Sequence, residues 1–224
     1  MKHFQRCKIA FTLSEVLITI AIIGIAAAIT IPILVSKYNK LVVETRLKNF
    51  YSVMNQAIKM SEADYGDFQY WDVSISKSDA DGMETWWNTY FAPHIKTLKI
   101  EKEKTTSLGY ALWVYLADGT KFMVFNYYGS SADSSSSTHL YFYPKANNST
   151  NIMGKDYFTF FIHASTNKKY AAVEPYKYSW DGTEEDLRNG TYGCNAENTN
   201  SKHYCTALIQ YYGWKIPDDY PYRF

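Results

Sequence analysis

Glu15 is the residue whose chemistry most needs an explanation. It is the only charge in Phe11 to Val35, FTLSEVLITIAIIGIAAAITIPILV, a run of 25 residues. A carboxylate near the centre of a membrane-spanning helix costs about 2.5–3.5 kcal/mol on insertion scales, so it needs a partner or a place near the interface where it stays hydrated. A second group of acids, Asp181, Glu184, Glu185 and Asp186, could bind calcium, but their order is not that of an EF-hand loop. The start of a helix explains them equally well, because acids there face the positive end of the macrodipole. His3, His94, His139, His163 and His203 never fall at metal-ligand spacing. The sequence has no G-x-S-x-G, Walker loop, H-E-x-x-H or C-x-x-C. No catalytic residue, metal ligand or cofactor is therefore singled out.

The element that must position Glu15 is the apolar run itself. A helix crosses the hydrocarbon core with about 20 apolar residues, so this one is long enough. A secretory signal has an apolar core of roughly 7–15 residues ending in a small-residue cleavage site, and no such site follows Val35. Met1 to Ala10 carries Lys2, Arg6 and Lys8 and no acid. Under the positive-inside rule this end stays cytoplasmic and everything after Val35 lies across the membrane.

A short basic leader, a small residue, and F-T-L-S-E opening a long apolar helix resemble the prepilin signature of type IV pilins and type II secretion pseudopilins. The resemblance covers roughly residues 1–60. It implies that a membrane prepilin peptidase cuts between Ala10 and Phe11 and methylates the new amine of Phe11. Ala10 stands where the family usually has glycine; both are small. The resemblance also gives Glu15 a task. The Phe11 amine of a neighbour in a growing filament would pair with it, and a one-residue slip would strand two charges in a low dielectric. Gly24 and Ala28 form a small-xxx-small face that allows close helix approach. Pro32 lacks the N–H that would bond to Ala28 and should kink the helix; in pilins the stretch between such a glycine and proline can loosen in the fibre.

With the leader go Cys7 and three of the 23 basic residues, against none of the 22 acids, so the remaining chain carries −2. That balance gives no strong attraction to nucleic acid or anionic lipid. Cys194 and Cys205 remain, 11 positions apart. Beyond the membrane they form a disulfide or stay as two thiols or half of a metal site, and the oxidising compartment favours the disulfide. It resembles the loop that closes the C-terminal region of many pilins.

After Val35 the pattern turns amphipathic. Val43, Leu47, Phe50, Met54, Ala57 and Met60 recur at steps of three or four, with Lys40, Glu44, Lys48, Asn55 and Lys59 off that stripe. One helix is expected from Phe11 to about Ser61, roughly 75 Å long at 1.5 Å per residue. Ala63 to Ser107 reads as an irregular connector holding one short helix, started at Asp79, Asp81 and Gly82 and stopped by Pro93. Its Trp86–Trp87 pair reads as one core residue and one partly covered neighbour. The alternating lysines and glutamates from Lys96 to Lys104 read as a solvated face. Strand signals begin at Tyr110, with Asp118-Gly119 as a tight hairpin turn. HLYFYP and DYFTFFIH add two strands, after a polar serine loop at Ser130 to Ser137, and CTALIQYYGWKIPDDYPYRF ends the chain as a short helix and tail.

The fold expected is α+β, a long N-terminal helix packed on a roughly four-stranded antiparallel sheet with a disulfide-closed C-terminal region. The divisions are a leader, 1–10; the helix, 11–62, of which 11–35 is the membrane and assembly segment; and a head domain, 63–224. The function implied is a structural subunit of a type IV pilus or type II secretion pseudopilus, held in the inner membrane with its head in the periplasm and then polymerised. Its partners would be further copies, minor pilins or pseudopilins, the prepilin peptidase and the inner-membrane assembly machinery. The alternative is a membrane-anchored binding or adhesion module that does not polymerise, for which Glu15 would be dispensable.

Overall fold

A computed structural model describes residues 12–71, 78–105, 109–126, 138–146, 150–164, 171–199 and 201–224. The serine run Ser130 to Ser137 lies outside them. The chain divides into two compact units, one within residues 1–39 and one of residues 40–224. Helix α1, Leu13–Tyr65, contributes to both and is helical through Pro32. In the first unit nearly all its side chains are exposed, among them Leu17, Ile18, Ile22, Ile25 and Ile29. It is long and apolar enough to cross a membrane.

In the second unit α1 packs on an antiparallel sheet. The sheet has six strands in meander order, rather than four: β1 Thr97–Thr105, β2 Gly109–Leu116, β3 Lys121–Asn126, β4 Thr138–Tyr143, β5 Phe158–Ala164 and β6 Ala171–Pro175. The period of two aims Leu112 and Val114, Phe122 and Val124, Leu140 and Phe142, and Phe158 and Phe160 into the core, each buried. Phe50 of α1 sits at the centre, with ring centroids 5.1 Å from Phe122, 4.2 Å from Phe142 and 5.0 Å from Phe160. A small second cluster, Ala111, Met123 and Phe125 with Trp113 and Tyr141, lies on the alternate positions.

The connector is less irregular than expected. α2, Ala80–Tyr90, starts where Asp79 accepts a bond from the Gly82 N–H at 2.8 Å, but β1 follows within the same stretch. Trp86 and Trp87 are both buried, at 4% and 0% exposure. Two adjacent helical positions can both be covered because Trp87 stacks on Phe91 at 5.1 Å and meets Phe122 edge-on, while Trp86 packs against the same Phe91 ring at 4.8 Å. At the hairpin between β2 and β3, Gly119 takes φ +78, a conformation glycine adopts without steric cost.

Two polar residues of α1 tie the unit together. Asn55 treats β6 as a strand would: its Nδ2 donates to the Val173 carbonyl at 2.8 Å, and its Oδ1 accepts from the Val173 N–H at 3.0 Å. One peptide of an otherwise open sheet edge is thereby satisfied. Glu44, 6% exposed, accepts from Lys215 Nζ at 2.9 Å and the Ile216 N–H at 2.9 Å, fixing the C-terminal tail to the helix. Replacing Asn55 with alanine should lower the unfolding free energy by about 2 kcal/mol, since two bonds to one peptide are lost and both its groups become unpaired. Chemical unfolding followed by tryptophan fluorescence measures this, and a change under about 0.5 kcal/mol, the size typical of an inert surface position, would refute it.

Candidate functional site

The start of α1 is built from T-L-S-E. Thr12 stands before the first helical residue, its carbonyl taking the Val16 N–H at 3.2 Å. Its Oγ1 accepts the Glu15 N–H at 3.3 Å, while Glu15 Oε2 accepts both the Thr12 N–H and the Thr12 hydroxyl at 2.8 Å. This is a capping box, which satisfies two of the donors a helix start leaves orphaned. Glu15 therefore has a partner within its own chain. Its second oxygen, Oε1, has none among the described residues. Ala10 and Phe11, the expected cleavage and methylation positions, lie outside the described residues.

Further along the same unit, the hydroxyls of Thr19 and Thr30 donate to the carbonyls of Val16 at 2.8 Å and Ala26 at 2.9 Å. Their polarity is consumed inside the helix, as an apolar surrounding demands. At Gly24 an added Cβ would meet nothing within 4 Å, so no contact among the described residues calls for glycine there. Pro32 sits inside the helix and offers no N–H to Ala28.

In the unit of residues 40–224, Cys194 and Cys205 form a disulfide. Closing a loop of that size contributes about 3 kcal/mol in the chain-entropy model. Gly154 packs against it: at φ +83, a Cβ there would fall 2.5 Å from Cys205 Sγ, and Tyr220 donates its hydroxyl to the Gly154 carbonyl at 2.5 Å. Helix α4, Cys205–Tyr211, carries the second cysteine into the core.

The acids at 181–186 serve helix α3, Glu184–Asn189. Asp181 accepts from the N–H and hydroxyl of Thr183 at 2.8 and 2.7 Å, and Asp186 from the Asp181 N–H at 3.2 Å. Glu184 takes Arg188 Nε at 2.7 Å. These bonds hold the Asp181 carboxyl below its usual range, the Thr183 hydroxyl contributing most. Glu185 accepts from Asn189 Nδ2 at 2.9 Å, and Glu184 also takes the Tyr212 hydroxyl at 2.5 Å, so these carboxylates bond to α3, its leading loop and the end of α4. Among the described residues no three of His, Cys, Asp and Glu converge as a metal group.

One cluster went unread in the sequence. His203 lies half-buried with its Nδ1 3.1 Å from Thr159 Oγ1 and its ring 4.6 Å from Tyr176, 5.7 Å from Tyr192 and 6.2 Å from Tyr141. Burial, and secondarily the charge of His139, push its pKa down to about 4. Nothing in the spacing of the histidines marks it, since the fold joins it to strands 44 or more positions away. The capping box also went unread in the sequence, although T-x-x-E ahead of an apolar run is a signal that could have found it.

Comparison with known proteins adds two matches. Residues 33–224 match a family of unknown function (DUF6613), and residues 6–31 match a prokaryotic N-terminal methylation motif. The second match is the type IV pilin-like prepilin signature at the start of the chain. No curated protein and no solved structure matches the chain.

Proposed function

The chain belongs to that family of unknown function, and we propose that it is a pilin-type filament subunit, processed before Phe11 and polymerised through its N-terminal helix into a type IV pilus or a type II secretion pseudopilus. The observation that carries this reading is a coincidence in one register. The methylation motif spans 6–31, the helix begins at Leu13, and a lone carboxylate stands at its third position with one oxygen uncommitted. The motif and the long apolar helix fit pilin-type subunits, and that fit points to a structural rather than an enzymatic protein. The apolar helix suggests membrane anchoring.

On this reading residues 1–10 are the leader, 11–62 the helix and 63–224 the head. The leader stays in the cytoplasm and the head reaches the periplasm. Before assembly the subunit waits in the inner membrane; afterwards the apolar run from Phe11 to Val35 is buried among neighbouring copies. A head-to-tail contact that does not close generates an open helical fibre. Other copies, minor subunits, the prepilin peptidase and the assembly machinery are its partners.

Intact mass and N-terminal sequencing of the protein from native membranes test this. The expected chain starts at N-methyl-Phe11. A chain still starting at Met1, in cells with active prepilin peptidase, would leave the non-polymerising anchored module as the better account.

A further inference from the structure

An open cleft of about 430 Å3 lies between the exposed face of α1 and the turn that follows α4. That size is in the range of small-molecule sites, roughly 300–1,000 Å3. One wall is Thr45, Lys48, Asn49 and Ser52, whose spacing of three, four and seven places them on a single stripe of the helix. None of these four side chains has a hydrogen-bond or ion-pair partner among the described residues. Trp214 and Lys215 form the facing wall.

That facing wall is held in place. Trp214 adopts φ 66, a left-handed backbone that is an outlier for a bulky side chain. The turn enforces it: the Trp214 N–H donates to the Ile209 carbonyl at 2.9 Å, and the Gly213 N–H to Gln210 at 2.9 Å. The indole rests on Tyr51 at 5.0 Å and Phe160 at 6.4 Å. Glu44, buried beneath, grips Lys215 and the Ile216 N–H. A platform fixed before a ligand arrives loses little freedom on binding.

We propose that this cleft binds a single acidic saccharide unit. The indole offers a flat apolar surface to one face of a sugar ring. The hydroxyls of Thr45 and Ser52 and the amide of Asn49 match the sugar's hydroxyl groups. Glu44 is the one carboxylate in the lining and already holds Lys215, so Lys48 remains for a ligand carboxylate. An apolar ligand would strand four polar side chains dry, and a simple inorganic anion would leave the indole unused.

The test is calorimetric titration of the full chain in detergent micelles with N-acetylneuraminic acid, against galactose and acetate. Saturable binding with a Kd on the order of 1 mM is expected. Galactose should bind about tenfold more weakly, and acetate without saturation. Lys48→Gln, at an exposed position, should weaken N-acetylneuraminic acid about tenfold while Lys48→Arg retains it, and Trp214→Ala should abolish it. No saturable binding overturns the proposal, as does equal binding of galactose or an unchanged Lys48→Gln. Cross-linking of Lys48→Cys to a second copy in assembled filaments would assign the cleft to subunit packing instead and overturn it too.

Discussion

Glu15→Val and Glu15→Gln subunits should both fall about a hundredfold in filament incorporation while remaining folded in the membrane. The figure follows from leaving one charge unpaired in a low dielectric, about 2.5–3.5 kcal/mol on insertion scales, at tenfold per 1.4 kcal/mol. The two variants separate two roles that the geometry allows. Glu15 Oε2 closes the capping box on Thr12, and glutamine serves a capping box as well as glutamate does. If capping were the whole of its task, Glu15→Gln would assemble normally and only Glu15→Val would suffer. If Oε1 receives the Phe11 amine of a neighbouring copy, loss of charge is enough and both fail. The readout is the ratio of mature subunit in sheared filaments to subunit in the membrane fraction. Wild-type incorporation of either variant would remove the charge pair as the register-setting device. Thr12→Ala, which keeps the carboxylate and loses the cap, should cost only about 1 kcal/mol of helix stability and so leave assembly largely intact.

Much of the fold was legible because periodicity survives wherever one face is buried. Val43, Leu47, Phe50, Met54 and Ala57 read as a helix stripe, and all are core residues. The stripe failed only at its end, where Met60 is 44% exposed and Ile58 and Ser61 are buried instead, as a period of 3.6 residues drifts off strict steps. The two missed strands lack that signal. β1 is a sheet edge with Lys99, Glu101, Lys102, Glu103 and Lys104 exposed on both faces, which is how edges are kept from pairing. β6 has five residues and buries Val173 and Pro175, too short to alternate convincingly.

Polar residues were the harder part, since their meaning depends on what the fold brings to them. Glu44 and Asn55 lie off the apolar stripe and read as solvent-facing. Glu44 is buried under the tail because Lys215 and the Ile216 N–H arrive from 171 and 172 positions away. Asn55 is engaged because Val173 lies alongside. No local pattern encodes such pairings. The site at the start of α1 differs, because its cap, carboxylate and apolar run are contiguous and leave a linear signature.

Acid should destabilise the unit of residues 40–224 through His203, by about 3 kcal/mol between neutral pH and pH 4. The imidazole titrates near 6.5 when unfolded and near 4 when folded. A depressed folded pKa means that the folded state prefers the neutral ring. Its contribution is complete above about 6.5 and is lost as pH falls towards 4, where the unfolded chain takes up the proton first. The surroundings explain why no counter-charge rescues the cation: Thr159, Tyr141, Tyr176 and Tyr192 face it, and His139 adds a like charge when protonated. Burial likewise raises the Tyr176 hydroxyl above its ordinary value, so that group stays neutral throughout the window. Urea unfolding of wild type and His203→Gln, followed by the six tryptophans, all of which lie in this unit, measures the effect. Other groups titrate in both proteins, so the decisive quantity is the difference between them. That difference should shift by about 3 kcal/mol in favour of the variant from pH 7 to pH 4. A difference that stays constant across the window would mean that His203 is solvated or already paired, and that the aromatic box around it does not exclude its charge.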